Sequence, residues 1–221
     1  LLDQNLVQNM HSRYNGLVPQ SCQCLLGPAY ALLHPVYNRV RARVMPRVGV
    51  IRKILIFFGG ADTYDLTHTF LCAFSKALHT GIEIDVVMGI NNQKIGEIRE
   101  LAMKYENVHC HMNLSHLADL MAESDLAVGA CGSAAWERLC LGLPSLVVSF
   151  GDDQQPIAEE LHAKGLIHWL GHCDAVDGKK MRNELGKIIR QNLNREWSRR
   201  CMAVVDGLGV YRVCDMIMQM G

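Results

Sequence analysis

Ser133, Glu137, Gln154 and Gln155 are the polar side chains of this 221-residue chain placed where an anion and a sugar could be held. All four lie in one stretch, DLAVGACGSAAWERLCLGLPSLVVSFGDDQQ, running from Asp125 to Gln155. A short apolar run ends in the small residues Gly129, Ala130, Cys131 and Gly132, and a helical pattern begins at Ser133. Small residues let a backbone approach a ligand closely. Ser133 suits an N-cap, and the free N–H groups of a first helical turn favour an anion such as a phosphate. Glu137 lies one turn further on, on the same helix face as Ser133, where its carboxylate could accept hydrogen bonds from a sugar diol. The helix stops at Gly142 and Pro144. A buried strand then runs over residues 145–150 into Gly151, Asp152, Asp153, Gln154 and Gln155, where an open parallel sheet carries its ligand. The same residues have a plainer reading. Many strand–turn–helix units bind nothing, Glu137 could be a surface carboxylate paired with Arg138, and Gln154 and Gln155 could simply start a helix. Trp136 reads as core, Cys131 as an inert thiol, and His109, His111 and His116 as packing or surface residues.

A second unit of the same type precedes this one. The β-branched and aromatic run over residues 52–58 reads as a buried strand, followed at once by Gly59 and Gly60 and by a helix over residues 65–79. It lacks the third glycine of a dinucleotide fingerprint. Taken with the first unit, it suggests two helix N-termini converging on one polyanion.

The elements that must position these residues alternate regularly. Strands are expected at residues 83–88, 108–112, 125–130, 145–150 and 167–170, and helices at 93–105, 117–121, 156–164, 179–191 and 195–220. From Arg52 onward, strand and helix alternate about six times, which spells an α/β doubly wound parallel sheet. Residues 1–48 read as a connector and residues 49–221 as the domain proper. A helix carrying Tyr37, Val40 and Val44 falls in the connector, and Arg39, Arg41, Arg43, Arg47, Arg52 and Lys53 give the region a positive, solvated face.

Composition narrows the partners. Lys plus Arg and Asp plus Glu balance at 22 each, so charge does not point to nucleic acid or a membrane surface. Hydrophobic residues make up 49%, an ordinary globular share, and no apolar run reaches membrane-spanning length. Nine cysteines, an odd number scattered through apolar segments, fit reduced thiols and a cytoplasmic location. Cys22 with Cys24, and Cys110 between His109 and His111, lack a second ligand pair at zinc spacing, so no metal and no cofactor is expected.

Five blocks, LLGPAYALLHP, FGGAD, LADLMAESDLAVGACGSAAWERLCLGLPS, DDQQ and VDGLGVYRV, occur in an order that resembles the carboxy-terminal half of the UDP-2,4-diacetamido-2,4,6-trideoxy-β-L-altropyranose hydrolases of pseudaminic acid biosynthesis. Those enzymes are similar in fold to the transferases that add N-acetylglucosamine to lipid-linked peptidoglycan precursors. The resemblance implies a Rossmann-like carboxy-terminal domain of a glycosyltransferase-B fold that grips the UDP of a UDP-sugar substrate. It implies Glu137 on the ribose, Gly132 and Ser133 at the diphosphate, Gly59 and Gly60 at the second turn, Gln154 and Gln155 facing the sugar, and backbone groups of Met112 and Asn113 at the uracil edge. The chain departs from the family pattern at Cys131 and Ala134, usually glycine and threonine, at His34, usually arginine, and at Asp65, usually an amide. The family's water-activating histidine follows a glycine-rich turn in the amino-terminal half, and none of the ten histidines here has that setting. The resemblance thus implies that residues 1–48 include a remnant of the amino-terminal domain, with the catalytic base on a missing half or a separate partner chain. It leaves hydrolase, donor-binding half of a related transferase, and non-catalytic subunit of a split enzyme as the readings of the activity.

Overall fold

The computed structural model describes residues 1–74 and 81–219. Six strands form one parallel sheet: β3 (Lys53–Phe57), β4 (Glu83–Met88), β5 (Val108–Met112), β6 (Leu126–Ala130), β7 (Ser145–Ser149) and β8 (His168–His172), in the order β5-β4-β3-β6-β7-β8. Two short strands, β1 (Leu2–Asp3) and β2 (Leu25–Leu26), pair separately in parallel. The chain winds outward from β3 in one direction and from β6 in the other, so β3 and β6 flank the switch point whose crevice at the strands' carboxyl ends is the usual ligand position in open α/β sheets.

Alternation along each strand explains why both faces are covered. Ile54, Ile56, Val86, Val128 and Val148 point to one face, and Leu55, Val87, Ala127 and Val147 to the other. The first face packs against α2 (Leu66–Phe74), α3 (Ile95–Ala102) and α7 (Gly178–Gln191), through Phe70, Ile98 and Leu185 among others. The second packs against α1 (Val36–Arg41), α4 (Ala118–Glu123), α5 (Ser133–Cys140), α6 (Gln155–Ala163) and α8 (Arg195–Val204), through Tyr37, Met121, Leu139, Leu161 and Cys201. Trp136 belongs to this second core, at 3% exposure.

The helix expected over 65–79 is described only as far as Phe74, and its remainder lies outside the described residues, as does Met220 of the terminal helix. The single helical region expected from Arg195 is two helices, α8 and α9 (Gly209–Gln219). They are separated where Val205 turns extended, at a φ of −128°, and Gly207 takes a φ of 81° before α9 begins. The solvated basic face expected near residue 40 needs a larger correction. Arg47 is buried, and its guanidinium donates to the carbonyls of Met121 at 2.7 Å, Ser124 at 3.2 Å and Leu141. Arg41 donates to the carbonyls of Cys140 at 2.5 Å and Met202 at 2.8 Å. Carbonyls at the carboxyl ends of α4, α5 and α8 have no helical partner, so these two arginines complete them and complement the helix dipoles. Burial lowers the Arg47 pKa to about 10, leaving it charged at neutral pH.

Candidate functional site

At the carboxyl ends of β3, β4 and β6 lies a cavity of about 380 Å³ lined by Gly60, Met88, Asn113, His116, Ser133 and Glu137, with His34 and Tyr37 completing one wall. A smaller cavity of about 180 Å³, lined by Cys131, Gly132, Trp136, Asp153 and Gln154, meets it at Ser133, which lines both. The structure therefore brings Gly60, Asn113, Ser133 and Glu137 to one cavity, and Gly132 and Gln154 to its neighbour.

Ser133 is the shared wall because it opens α5. The N-cap is Gly132, one residue earlier than expected, and no side chain caps the first turn. The helix thus presents uncapped N–H groups toward both cavities, and a Cβ placed on Gly132 would meet nothing within 4 Å. The other glycine-led opening is built differently. Gly59, at φ 98°, turns the chain after β3, and Gly60 abuts the loop after β4 so closely that a Cβ on Gly89 would fall 2.0 Å from the Gly60 carbonyl oxygen. The α2 opening, however, is already filled: the Asp62 carboxylate accepts from the N–H groups of Leu66 at 3.0 Å and Thr67 at 2.9 Å. The expected convergence of two free helix N-termini on a polyanion is corrected to one free N-terminus, at α5, facing the backbone of the Gly59–Gly60 turn.

Glu137 is half-buried, and its partner is not Arg138. Burial raises its pKa above the ordinary carboxylate value, while a hydrogen bond from Tyr37, the Arg138 charge and His116 pull it back. Tyr37 is raised in turn, first by burial and then by the Glu137 charge. Its hydroxyl also accepts from the Leu117 N–H at 3.4 Å, which ties α1, the α4 entrance and α5 to the same wall.

Asn113 follows β5 with a φ of 56°, and Met112, which packs toward the first core, does not line the cavity with its side chain. Gln155 is the first residue of α6, and its amide donates to Glu159 at 2.8 Å. The Gln154 amide oxygen accepts from the Phe150 N–H at 3.1 Å, so it holds the loop after β7 while lining the smaller cavity.

Sequence reasoning missed three residues of the larger cavity. His34 and His116 stack with ring centroids 6.1 Å apart, and Tyr37 reaches Glu137 from α1. His34 Nδ1 accepts from the Val36 N–H at 3.2 Å, and His116 Nδ1 is buried without a hydrogen-bond partner among the described residues. No local signal marks them, because 81 residues separate the two histidines, and only the packing of α1 against α4 joins them. His109 and His111 are engaged elsewhere, with Glu83 at 2.7 Å and Asp85 at 2.6 Å. Among the described residues, His172, Cys173 and Asp174 bring possible metal ligands together, but the His172 ring already bonds the Phe150 carbonyl at 2.9 Å and the Asp174 N–H at 3.4 Å.

No protein-family model matches the chain. It is 25% identical over 193 residues to the spore coat polysaccharide biosynthesis protein SpsG of Bacillus subtilis (strain 168), covering 86% of this chain and 57% of that one. It is 26% identical over 199 residues to a UDP-N-acetylglucosamine–N-acetylmuramyl-(pentapeptide) pyrophosphoryl-undecaprenol N-acetylglucosamine transferase of Sulfurovum sp. (strain NBC37-1), covering 86% and 54%. The chain thus spans just over half the length of these curated relatives. The solved structure of Acinetobacter baumannii MurG superposes with a TM-score of 0.63 at 15% identity, covering 91% of this chain and 57% of that one. The chain has the Rossmann-like α/β architecture found in glycosyltransferase-B structures, and its relatives include an N-acetylglucosamine transferase.

Proposed function

We propose that this chain is the nucleotide-binding half of an enzyme acting on a UDP-sugar, holding the donor while a second half supplies the other reactant. The observation that carries the reading is the meeting of two cavities at the uncapped N-terminus of α5, with Glu137 one turn below it. A diphosphate at Ser133 would place a nucleoside in the larger cavity, its ribose hydroxyls donating to the Glu137 carboxylate and its base against Asn113. The sugar would then extend toward Gln154 in the smaller cavity. The leaving diphosphate is stabilised by helix N–H groups and the Gly59–Gly60 backbone, dipoles already aimed where charge develops.

Transfer of the sugar to an acceptor is favoured, because a curated relative over most of this chain is an N-acetylglucosamine transferase. Hydrolysis of a UDP-2,4-diacetamido-trideoxy sugar is the second reading, and it rests on the five sequence blocks and their order. In both, the residue that activates the attacking hydroxyl belongs to an amino-terminal half, in the same polypeptide or on a partner chain, and residues 1–48 are the junction to it. Buried reduced thiols at Cys131, Cys140 and Cys201 fit a cytoplasmic setting. Among the described residues no helix is long and apolar enough to cross a membrane.

Calorimetric titration with UDP tests the shared part of both readings. The chain should bind UDP, and Glu137→Ala should weaken binding at least tenfold, the cost of about 1.5 to 3 kcal/mol for hydrogen bonds to a charged group. No affinity in the unaltered chain would refute the reading. Incubation with UDP-N-acetylglucosamine and with a diacetamido analogue, in the presence of the second half, separates transfer from hydrolysis by whether free sugar appears without an acceptor.

A further inference from the structure

Among the described residues, Arg138 is the largest fully buried side chain, 2% exposed, and no carboxylate forms an ion pair with it. Its side chain follows the general lean of helical residues toward the helix N-terminus and ends beneath the turn that opens α5. There one terminal nitrogen donates to the Ala130 carbonyl at 2.7 Å, and the buried Nε–H has no hydrogen-bond partner among the described residues. It lies against Gly129, where a Cβ would fall 2.2 Å from the Phe57 carbonyl oxygen and 3.2 Å from a guanidinium nitrogen. A buried guanidinium with one carbonyl acceptor and no ion-paired carboxylate is costly, and the neighbouring Glu137 offsets that cost only as a charge, because its carboxylate lines the cavity.

We propose that Arg138 is a positioning residue for the anionic part of the ligand, a buried cation whose counter-charge is the diphosphate bound at Ser133. This rests on the UDP-sugar reading above and deepens it. The side chain does not reach the ligand. It acts through the Ala130–Gly132 turn, holding the strand end that leads into the free N–H groups and adding a full positive charge behind them in a medium of low polarity. Glu137 and Arg138, neighbours about 100° apart around one helix, then divide the work: the acid faces the cavity and reads the neutral ribose, while the base lies in the core and favours the phosphates.

The test compares UDP with uridine, by calorimetry at about pH 8 so that Glu137 stays ionised. Arg138→Met, which keeps an unbranched buried side chain, should lower UDP affinity roughly tenfold and uridine affinity less than about twofold, and Arg138→Lys should restore most of the UDP preference. Equal loss for the two ligands, or no loss for either, overturns the proposal, since a scaffold role would not sense the phosphates. Should R138M lack a cooperative melt, R138Q and R138K are compared in its place, and an equal UDP-to-uridine ratio in the two overturns it as well. An unaltered chain that binds neither ligand removes the nucleotide reading and this proposal together. One that binds both, with the UDP preference intact in R138M, removes this proposal alone.

Discussion

Two helices open at the same edge of the sheet behind glycine-rich turns, and they meet opposite fates. The opening of α2 is closed by Asp62, whose carboxylate takes the Leu66 and Thr67 N–H groups and stays with the protein. The opening of α5 has glycine at its cap and no side chain over its first turn. The difference teaches that a glycine-led helix start is not by itself an anion site. What matters is whether the chain spends that end on its own acid. At α2 the anion is covalently part of the fold, so its effect is stability; at α5 no side chain supplies one, and in the proposed reading it comes from outside and its effect is affinity.

The far ends of the helices give the largest test of this contrast. Arg47→Met would strip donors from carbonyls at the ends of α4 and α5 and should cost about 3 kcal/mol or more of stability in denaturant unfolding. A loss below about 1 kcal/mol would mean that water replaces the guanidinium there. Asp62→Ala should cost about 1 to 2 kcal/mol in the same measurement while leaving UDP affinity unchanged. A drop in affinity would show that the α2 opening takes part in binding after all. Glycine replacements sharpen the comparison further. Gly132→Ala, with open space at the new methyl and an extended backbone, should shift stability by less than about 0.5 kcal/mol yet weaken UDP binding by crowding the phosphate turn. If both stay unchanged, the ligand does not approach that backbone.

The smallest expected effect is one of pH. The folded pKa of Glu137 lies above its unfolded value because burial disfavours the charge. The native state therefore holds that proton more tightly, and its contribution to stability rises as pH falls from the folded toward the unfolded value. Uridine affinity should move the other way, falling as the carboxylate protonates, and at a higher pH than an ordinary glutamate would give. Calorimetry and thermal melts across that window should show these opposite slopes, and Glu137→Gln should flatten both. Parallel slopes would place the titrating group elsewhere.

Much of this was legible along the chain because the governing contacts are local. Strand faces alternate, helix stops fall at glycine and proline, and Ser133 and Glu137 are one turn apart, so their common cavity follows from helical geometry. Asp62 was less legible: its capping role needs a φ of 45°, a conformation that composition does not announce. Arg47 and the His34–His116 pair were not legible at all, since their partners lie 74 to 94 residues away or on another helix, and a run of arginines looks solvated until packing buries one of them. The amides divided in a similar way. Gln155 starts α6 and its amide bonds Glu159, whereas Gln154 lines the smaller cavity while its amide oxygen braces the loop after β7.

The guanidinium of Arg47 has one further consequence. Helix α4 follows the segment 113–117 that walls one side of the larger cavity, and α5 opens at Ser133 on another, yet both helices are fastened at their opposite ends to a single side chain. Two walls pinned to one rivet shift together or not at all. In the proposed reading, a nucleotide would therefore enter a socket whose width is fixed beforehand.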